Sequence, residues 1–201
     1  LDFRMDVVHG LAARTFSVNV YAEFRSGSGV SGWGESVPRM YVTGETVPGA
    51  LAAAVKFAGR FEGRSFGTPE ELLAALDSEG RTDDARANPA AFCAVELAML
   101  DLAGRFWDRS VSSLVGLRRR SEPLVYSLVV PLVGGDSLKP FLEGVLALRF
   151  RHAKVKVDGN DPAGRVRRVK AVLPDVEIRV DANCSWRAVD AAGFIDDLAA
   201  E

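Results

Sequence analysis

The sequence predicts a small α+β domain followed by three βα units of a parallel sheet. Two observations predict this fold class. In residues 1–115, strand patterns come first and helical patterns follow, which is typical of an α+β domain. In residues 116–201, strand and helix patterns alternate three times, with a repeat of roughly 25–30 residues that is typical of βαβ units.

The first domain opens with a hairpin. Residues 15–25 alternate apolar and polar side chains, which predicts a half-buried strand. Residues 26–29 form a Gly/Ser turn, and residues 30–36 are the return strand. The apolar face of the first strand is predicted to contain Phe16, Val18, Val20 and Ala22. Helices are then predicted over residues 46–60, from Thr68 onward with that threonine as the N-cap, and over 89–106.

The second domain alternates short apolar strands with helices. Strands are predicted over residues 124–130, 153–157 and 176–181, and helices over 137–150, 161–173 and 188–201. A parallel sheet needs cover on both faces, and three strands leave an open edge. The segment is therefore either a small doubly wound sheet or the first three units of a (β/α)₈ barrel that lacks about five units.

Composition gives no reason to expect nucleic acid or a membrane as partner. The net charge is −2, and no apolar run reaches the length of a membrane span. The basic run Arg118–Arg120 is interpreted as a solvated loop, and the basic residues that follow as a solvated helix face: Arg165, Arg167, Arg168 and Lys170. The two cysteines and the absence of a signal peptide predict a cytoplasmic protein.

Two lysines share one face of the second strand of the βα segment. Lys154 and Lys156 flank Val155, so their side chains point away from the apolar face. Two neighbouring ammonium groups disfavour each other's charge, and a general base needs that property. The alternative is an exposed edge strand that its lysines protect from pairing.

An aspartate ends the third strand of the same segment. Asp181 lies where barrel enzymes place their sites, and its carboxylate suits Mg²⁺. The alternative is a helix-capping aspartate. Lys156 and Asp181 end adjacent strands, so a base and a metal ligand are predicted to face one cavity.

Six motifs follow one another over nearly the whole chain: Gly32-Trp33-Gly34-Glu35, residues 38–46, Ala94 to Asp101, Ser113 to Gly116, Lys154-Val155-Lys156 and Val180-Asp181-Ala182-Asn183. In this order they resemble the enolase superfamily in its muconate-lactonizing subgroup. The second motif is especially similar to dipeptide epimerases. The resemblance implies an α+β capping domain (1–115) and the first part of a TIM-type barrel (116–201).

The resemblance also implies roles for individual residues. Lys156 is the base beside the substrate α-carbon, and Lys154 adjusts its basicity. Asp181 is the first of three carboxylate ligands to Mg²⁺, or another divalent ion such as Mn²⁺, which stabilises the enediolate formed from a small carboxylate substrate. Asn183 matches a polar position near the metal, and the segment from Met5 to Ala13, with His9, is a candidate specificity loop or a simple connector.

The sequence departs from the family pattern because the other metal carboxylates and the opposite base lie on later strands. The resemblance therefore covers an N-terminal portion only, and the 201-residue chain alone is expected to be inactive. The complete protein is predicted to be an isomerase, a racemase or epimerase that acts on a dipeptide-like substrate.

Three alternatives stay open at this point. The complete enzyme could be a cycloisomerase or an o-succinylbenzoate synthase-type dehydratase of the same subgroup. The chain could also be a non-catalytic fragment that needs a complementing chain or forms a homo-oligomer. A nucleotide-binding sheet is disfavoured, because Gly134-Gly135 is no phosphate-binding motif.

Overall fold

The computed structural model describes residues 2–9, 12–117 and 122–201. Its contacts divide the chain into two compact units. The first, which we call the capping unit, contains Ser17–Ser121, and the second, the sheet unit, contains Asp2–Phe16 and Glu122–Glu201. The domain division at residues 115 and 116 remains a prediction.

The described residues form seven strands and eight α-helices. The strands are β1 (Asp2–His9), β2 (Ala12–Phe16), β3 (Val20–Arg25), β4 (Ser31–Ser36), β5 (Ser127–Val130), β6 (His152–Lys156) and β7 (Glu177–Asp181). The helices are α1 (Val47–Gly59), α2 (Pro69–Gly80), α3 (Asp83–Ala87), α4 (Pro89–Phe106), α5 (Val111–Leu114), α6 (Gly135–Val145), α7 (Pro162–Val172) and α8 (Ala188–Ala199).

In the capping unit, α4 lies directly on the antiparallel β3–β4 hairpin. Glycines at 32 and 34 permit this approach, because a methyl group at Gly34 would overlap the carbonyl oxygen of Ala94 and lie 2.5 Å from the amide nitrogen of Ala98. The backbone N–H of Trp33 donates to the Asp101 carboxylate of α4 at 2.9 Å. The helix and the hairpin therefore pack backbone against backbone and share a hydrogen bond, in addition to their contacts in the apolar core. That core contains Phe57, Leu72, Leu76, Phe92, Ala94 and Val95.

The helix starts follow the sequence closely. Thr46 and Thr68 are the N-caps of α1 and α2, and each hydroxyl oxygen accepts from an amide three residues on. Glu71 completes the second cap by accepting from the N–H of Gly67 at 2.7 Å. Side-chain capping thus explains why these helices begin where the sequence predicts.

A buried glutamate from outside the helix caps α4. Glu45 is only 5% exposed, and its two carboxylate oxygens accept from the N–H groups of Ala90 and Ala91 at 2.8 and 3.0 Å. Asn88, the residue at the N-cap position, makes no side-chain cap hydrogen bond. Glu45 therefore accepts hydrogen bonds from N–H groups in the first turn of α4, to which the side chain of the N-cap residue Asn88 contributes no acceptor.

Replacing Glu45 by alanine should destabilise the capping unit by about 1–3 kcal/mol, because two buried amides lose their acceptors. Denaturant unfolding of the purified chain measures this loss. Glu45→Gln should cost less, since the amide oxygen can still accept one bond. The exposed Glu62 provides the control; equal losses in Glu45→Ala and Glu62→Ala would show that the capping bonds contribute nothing.

In the sheet unit, β5, β6 and β7 form a parallel sheet in that order. One face of the sheet packs against α6 and α7, and α8 packs beside α7. Completely buried side chains at this face include Val130, Leu142, Val155 and Val169. Alternating strand and helix with parallel pairing confirms the predicted βα units.

The N-terminal segment differs from its prediction. The predicted strand over residues 15–25 is two strands, β2 and β3, separated by residues 17–19. Val20 is buried, whereas Phe16 and Val18 are largely exposed, so they do not extend the apolar face. The candidate loop from Met5 to Ala13 is an antiparallel hairpin of β1 and β2, whose turn residues 10 and 11 lie outside the described part.

Two further predictions in the sheet unit are corrected. β5 begins at Ser127, where pairing with β6 begins, and residues 124–126 before it are exposed. Helix α6 ends at Val145 and continues as a 3₁₀ turn over Leu146–Leu148.

One residue of the basic helix face is also misplaced by the prediction. Arg165 is 6% exposed, whereas Arg167 and Arg168 are solvated as predicted. Arg118–Arg120 lie outside the described residues. Across residues 2–9, 12–117 and 122–201, no helix has the length and apolar character that a membrane crossing needs.

Candidate active site

The candidate site is the face of the β5–β6–β7 sheet that the helices leave uncovered. Ala153 and Val155 of β6 point into the helix-covered core, where they are 1% and 0% exposed. Since side chains alternate along a strand, Lys154 and Lys156 project from the opposite face, and both are partly exposed there. The two lysines therefore lie on the same face of β6, as the sequence predicts.

Parallel register brings β7 alongside these lysines. Lys156 is paired with Asp181, and Lys154 with Arg179. The ammonium nitrogen of Lys154 lies 3.0 Å from Oδ2 of Asp181, so the two side chains form an ion pair across the strands. The base candidate and the metal-ligand candidate thus occupy equivalent positions at the ends of neighbouring strands.

Asp181 is held by its surroundings in the ionised form. Partial burial alone would raise the pKa of its carboxyl group, but the hydrogen bond from Lys154, the N–H of Asn183 at 3.1 Å and the charges of both lysines hold that pKa below its usual range. A carboxylate that stays ionised is an acceptor for cations and for N–H donors.

A shallow cleft of about 450 Å³ opens over this face. It is lined by Ser127, Val129, Lys154, Arg179, Val180 and Asp181. Counting Lys156, the sheet face therefore carries three cationic side chains against two carboxylates, Asp181 and the largely exposed Glu177. That balance favours a substrate with a negatively charged group.

Asp181 meets the requirements of a single metal ligand. Oδ2 accepts from Lys154 and Oδ1 accepts from the N–H of Asn183, which leaves each oxygen a lone pair for a cation. Within the described ranges, no three His, Cys, Asp or Glu side chains converge in a way that could hold a metal ion. The described residues thus fit one hard oxygen ligand for a divalent cation.

Two further predicted site residues are Asn183, which lies beside Asp181, and His9, whose side chain is not described. Asn183 has a left-handed backbone (φ 47°), and its N–H supports the Asp181 carboxylate. His9 belongs to β1, and its side chain lies outside the described part of the chain. Roles for both residues remain predictions.

Arg179 is a charged residue of the cleft to which the sequence interpretation gave no role. It lies two residues before Asp181 and therefore on the same face of β7. The alternation used for the lysines would have found it, had it been applied to β7 as well.

The comparisons with known proteins show which kind of enzyme this chain resembles. No protein-family model matches the chain. The chain is 29% identical over 188 residues to the hydrophobic dipeptide epimerase of Citrifermentans bemidjiense, a match that covers 91% of this chain and 50% of the epimerase. It is also 29% identical to the o-succinylbenzoate synthase of Geobacillus stearothermophilus, over 81% of this chain and 42% of that enzyme.

The solved structures agree with the sequence matches. A dipeptide epimerase from Enterococcus faecalis, crystallised with Mg and L-Leu-L-Tyr, superposes with a TM-score of 0.83 at 21% identity, covering 99% of this chain and 55% of the other. A mandelate racemase/muconate lactonizing protein from Herpetosiphon aurantiacus superposes with a TM-score of 0.79 at 25% identity, covering 100% and 55%.

The resemblance to the enolase superfamily is therefore confirmed, as is the predicted fold of a capping domain with part of a barrel. The matched enzymes are racemases, epimerases, o-succinylbenzoate synthase and chloromuconate cycloisomerases. Several of them are dipeptide epimerases. The chain spans about half the length of the curated relatives it matches.

Proposed function

We propose that this chain supplies the first part of the active site of an isomerase that removes a proton α to a carboxylate. The observation that carries the proposal is the pairing of Lys154 and Asp181 at 3.0 Å, with Lys156 opposite Asp181 in register. A base and an anionic ligand for a cation thereby lie on the sheet face over which the cleft opens.

Lys156 is proposed as the base. It is opposite Asp181 in register and its charge acts on the Asp181 carboxylate, so its amine would lie near a substrate carboxylate bound at the cation. In its neutral form the amine accepts the α-proton, and general-base catalysis of this kind contributes about 10²–10⁴-fold.

Lys154 and Asp181 have supporting parts in the proposal. Lys154 keeps Asp181 ionised through the ion pair between their side chains. Asp181 is one ligand to Mg²⁺. When bound, Mg²⁺ would neutralise the negative charge that builds on the substrate carboxylate as the proton leaves.

The substrate class is proposed to be a dipeptide with a free C-terminal carboxylate. Similarity to dipeptide epimerases supports this choice over the substrates of cycloisomerases or of o-succinylbenzoate synthase. The cationic character of the sheet face is consistent with an anionic substrate group. Re-addition of the proton from the opposite side would invert the α-carbon and complete an epimerisation.

The test is exchange of the substrate α-proton with D₂O, which is measured by NMR as loss of the α-proton signal. The protein is purified from its native cells, its intact mass is compared with that of the 201 residues, and Mg²⁺ is supplied. L-Leu-L-Tyr, D-Ala-L-Val and L-Ala-L-Glu form the substrate panel, and L-Leu-L-Tyr amide is the control without a carboxylate.

We expect exchange with at least one dipeptide and none with the amide, abolished by a chelator and restored by Mg²⁺. The proposal fails if no dipeptide exchanges while the C. bemidjiense epimerase is active in the same buffer. The 201-residue chain produced alone should be inactive, because its described residues bring no three possible metal ligands together; turnover by that chain would contradict this expectation.

A further inference from the structure

The buried Arg165 makes no ion pair with a carboxylate in the described part of the chain, although the charge of Asp158 acts on it. It is 6% exposed, and among the described residues its guanidinium donates to three backbone carbonyls and to no side chain. Burial of a guanidinium is costly unless its N–H groups are satisfied, so an arginine at this position needs a reason. An apolar side chain would fill the same space at no electrostatic cost.

The three acceptors lie at the carboxyl ends of two adjacent strands. Nε donates to the carbonyl of Lys156 at 2.8 Å, Nη1 to the carbonyl of Val133 at 3.2 Å, and Nη2 to the carbonyl of Pro131. Lys156 is the last residue of β6, whereas Pro131 and Val133 follow the end of β5. One rigid planar group thus joins the rim of both strands to α7.

We propose that Arg165 is a positioning residue for Lys156, an inference that rests on the proposed role of Lys156 as base. The guanidinium binds the carbonyl of the residue whose side chain would take the proton. It thereby fixes the direction in which Lys156 leaves the strand, without itself reaching the open face. The loop after β5, which is bound by the same group, is held in a fixed position relative to the lysine.

The position of Arg165 on α7 is set by the helix start. Asp161 caps α7, its carboxylate accepting from the N–H of Gly164 at 2.8 Å, and Arg165 is the next residue. Arg167 and Arg168 point to solvent on the same helix and pair with Asp161. Arg168 is therefore a matched control: the same residue type on the same helix, without contact to a strand carbonyl.

The first experiment uses the 201-residue chain and does not depend on catalysis. Amide hydrogen exchange is measured in Arg165→Met, Arg165→Lys and Arg168→Met. The N–H of Val157 donates to the backbone carbonyl of Asp181 and reports on the end of β6. The N–H of Val133 donates to the backbone carbonyl of Pro131 and reports on the end of β5. We expect both Arg165 variants to accelerate exchange there by about tenfold or more relative to amides in the middle of β6, and Arg168→Met to change neither.

The second experiment uses the protein purified as the whole enzyme, with L-Leu-L-Tyr as probe. Arg165→Lys should lower kcat for α-proton exchange by about 10²-fold, because a small displacement of the base is costly, and KM should change by less than about twofold. A variant that merely unfolds more easily would instead lower the concentration of folded enzyme, and its kcat per folded molecule would equal that of the wild type.

The outcomes separate the two proposals. Unchanged exchange at Val157 and Val133, or uniform acceleration throughout the chain, would overturn the inference whatever the enzyme does. Locally faster exchange with an unchanged kcat would overturn the link to Lys156. An inactive wild-type enzyme would refute the proposed function, and the amide exchange alone would then decide whether Arg165 fixes the end of β6.

Discussion

Lys156→Ala is expected to lower α-proton exchange by about 10²–10⁴-fold in the whole enzyme, the range lost with a general base. The fold should survive, because the side chain lies on the uncovered face and not in the core. NMR in D₂O with L-Leu-L-Tyr and Mg²⁺ measures the loss directly. Thermal unfolding within a few degrees of the wild type would confirm that the sheet is intact.

Two companion variants make this result specific. Lys170→Ala removes an ammonium group from α7, outside the site, and should leave the rate unchanged. Asp181→Asn should weaken the response to Mg²⁺ and release Lys154 from its ion pair. If Lys156→Ala retained the wild-type rate while Asp181→Asn lost it, the base would have to be another residue.

Gly34→Ala is expected to have the largest effect on stability, about 3 kcal/mol or more, at the upper end for overpacked sites. The added methyl group would overlap the carbonyl of Ala94, and 2.5 Å separates it from the amide nitrogen of Ala98. Both are backbone atoms of α4, so no side chain can rotate away. The helix must instead move off the hairpin and lose contacts along its length.

Chemical denaturation of the 201-residue chain tests this expectation. Gly27→Ala is the control, because a methyl group there meets nothing within 4 Å. It should change the free energy of unfolding by less than about 0.5 kcal/mol, as surface substitutions do. Similar stabilities for the two variants would mean that α4 and β4 are not closely packed at residue 34.

Local signals in the sequence were sufficient for most of the elements. Thr68 with Pro69 marks the start of α2 through a cap that requires no distant partner. The alternation of Ala153, Lys154, Val155 and Lys156 predicted both faces of β6, because a strand has only two sides. The candidate base and metal ligand followed from that alternation and from the shared strand ends.

The errors arose where a distant contact decides the outcome. Residues 15–25 alternate throughout, but pairing with β1 and β4 divides them into two strands. Arg165 belongs to a basic stretch that reads as solvated, and only the fold brings three carbonyls to it. Glu45, for which the sequence indicated no capping role, precedes α1 in the chain but caps α4 at Ala90, forty-five residues later.

The alternating faces of β6 also limit how this segment can evolve. Removing or inserting one residue within the strand would exchange its two faces, directing the lysines into the layer where Val155 is fully buried. Residues 158–161 are partly or largely exposed and join the strand to the cap of α7. Changes of length are therefore expected in that connection among relatives, whereas the strand itself should vary only by substitution.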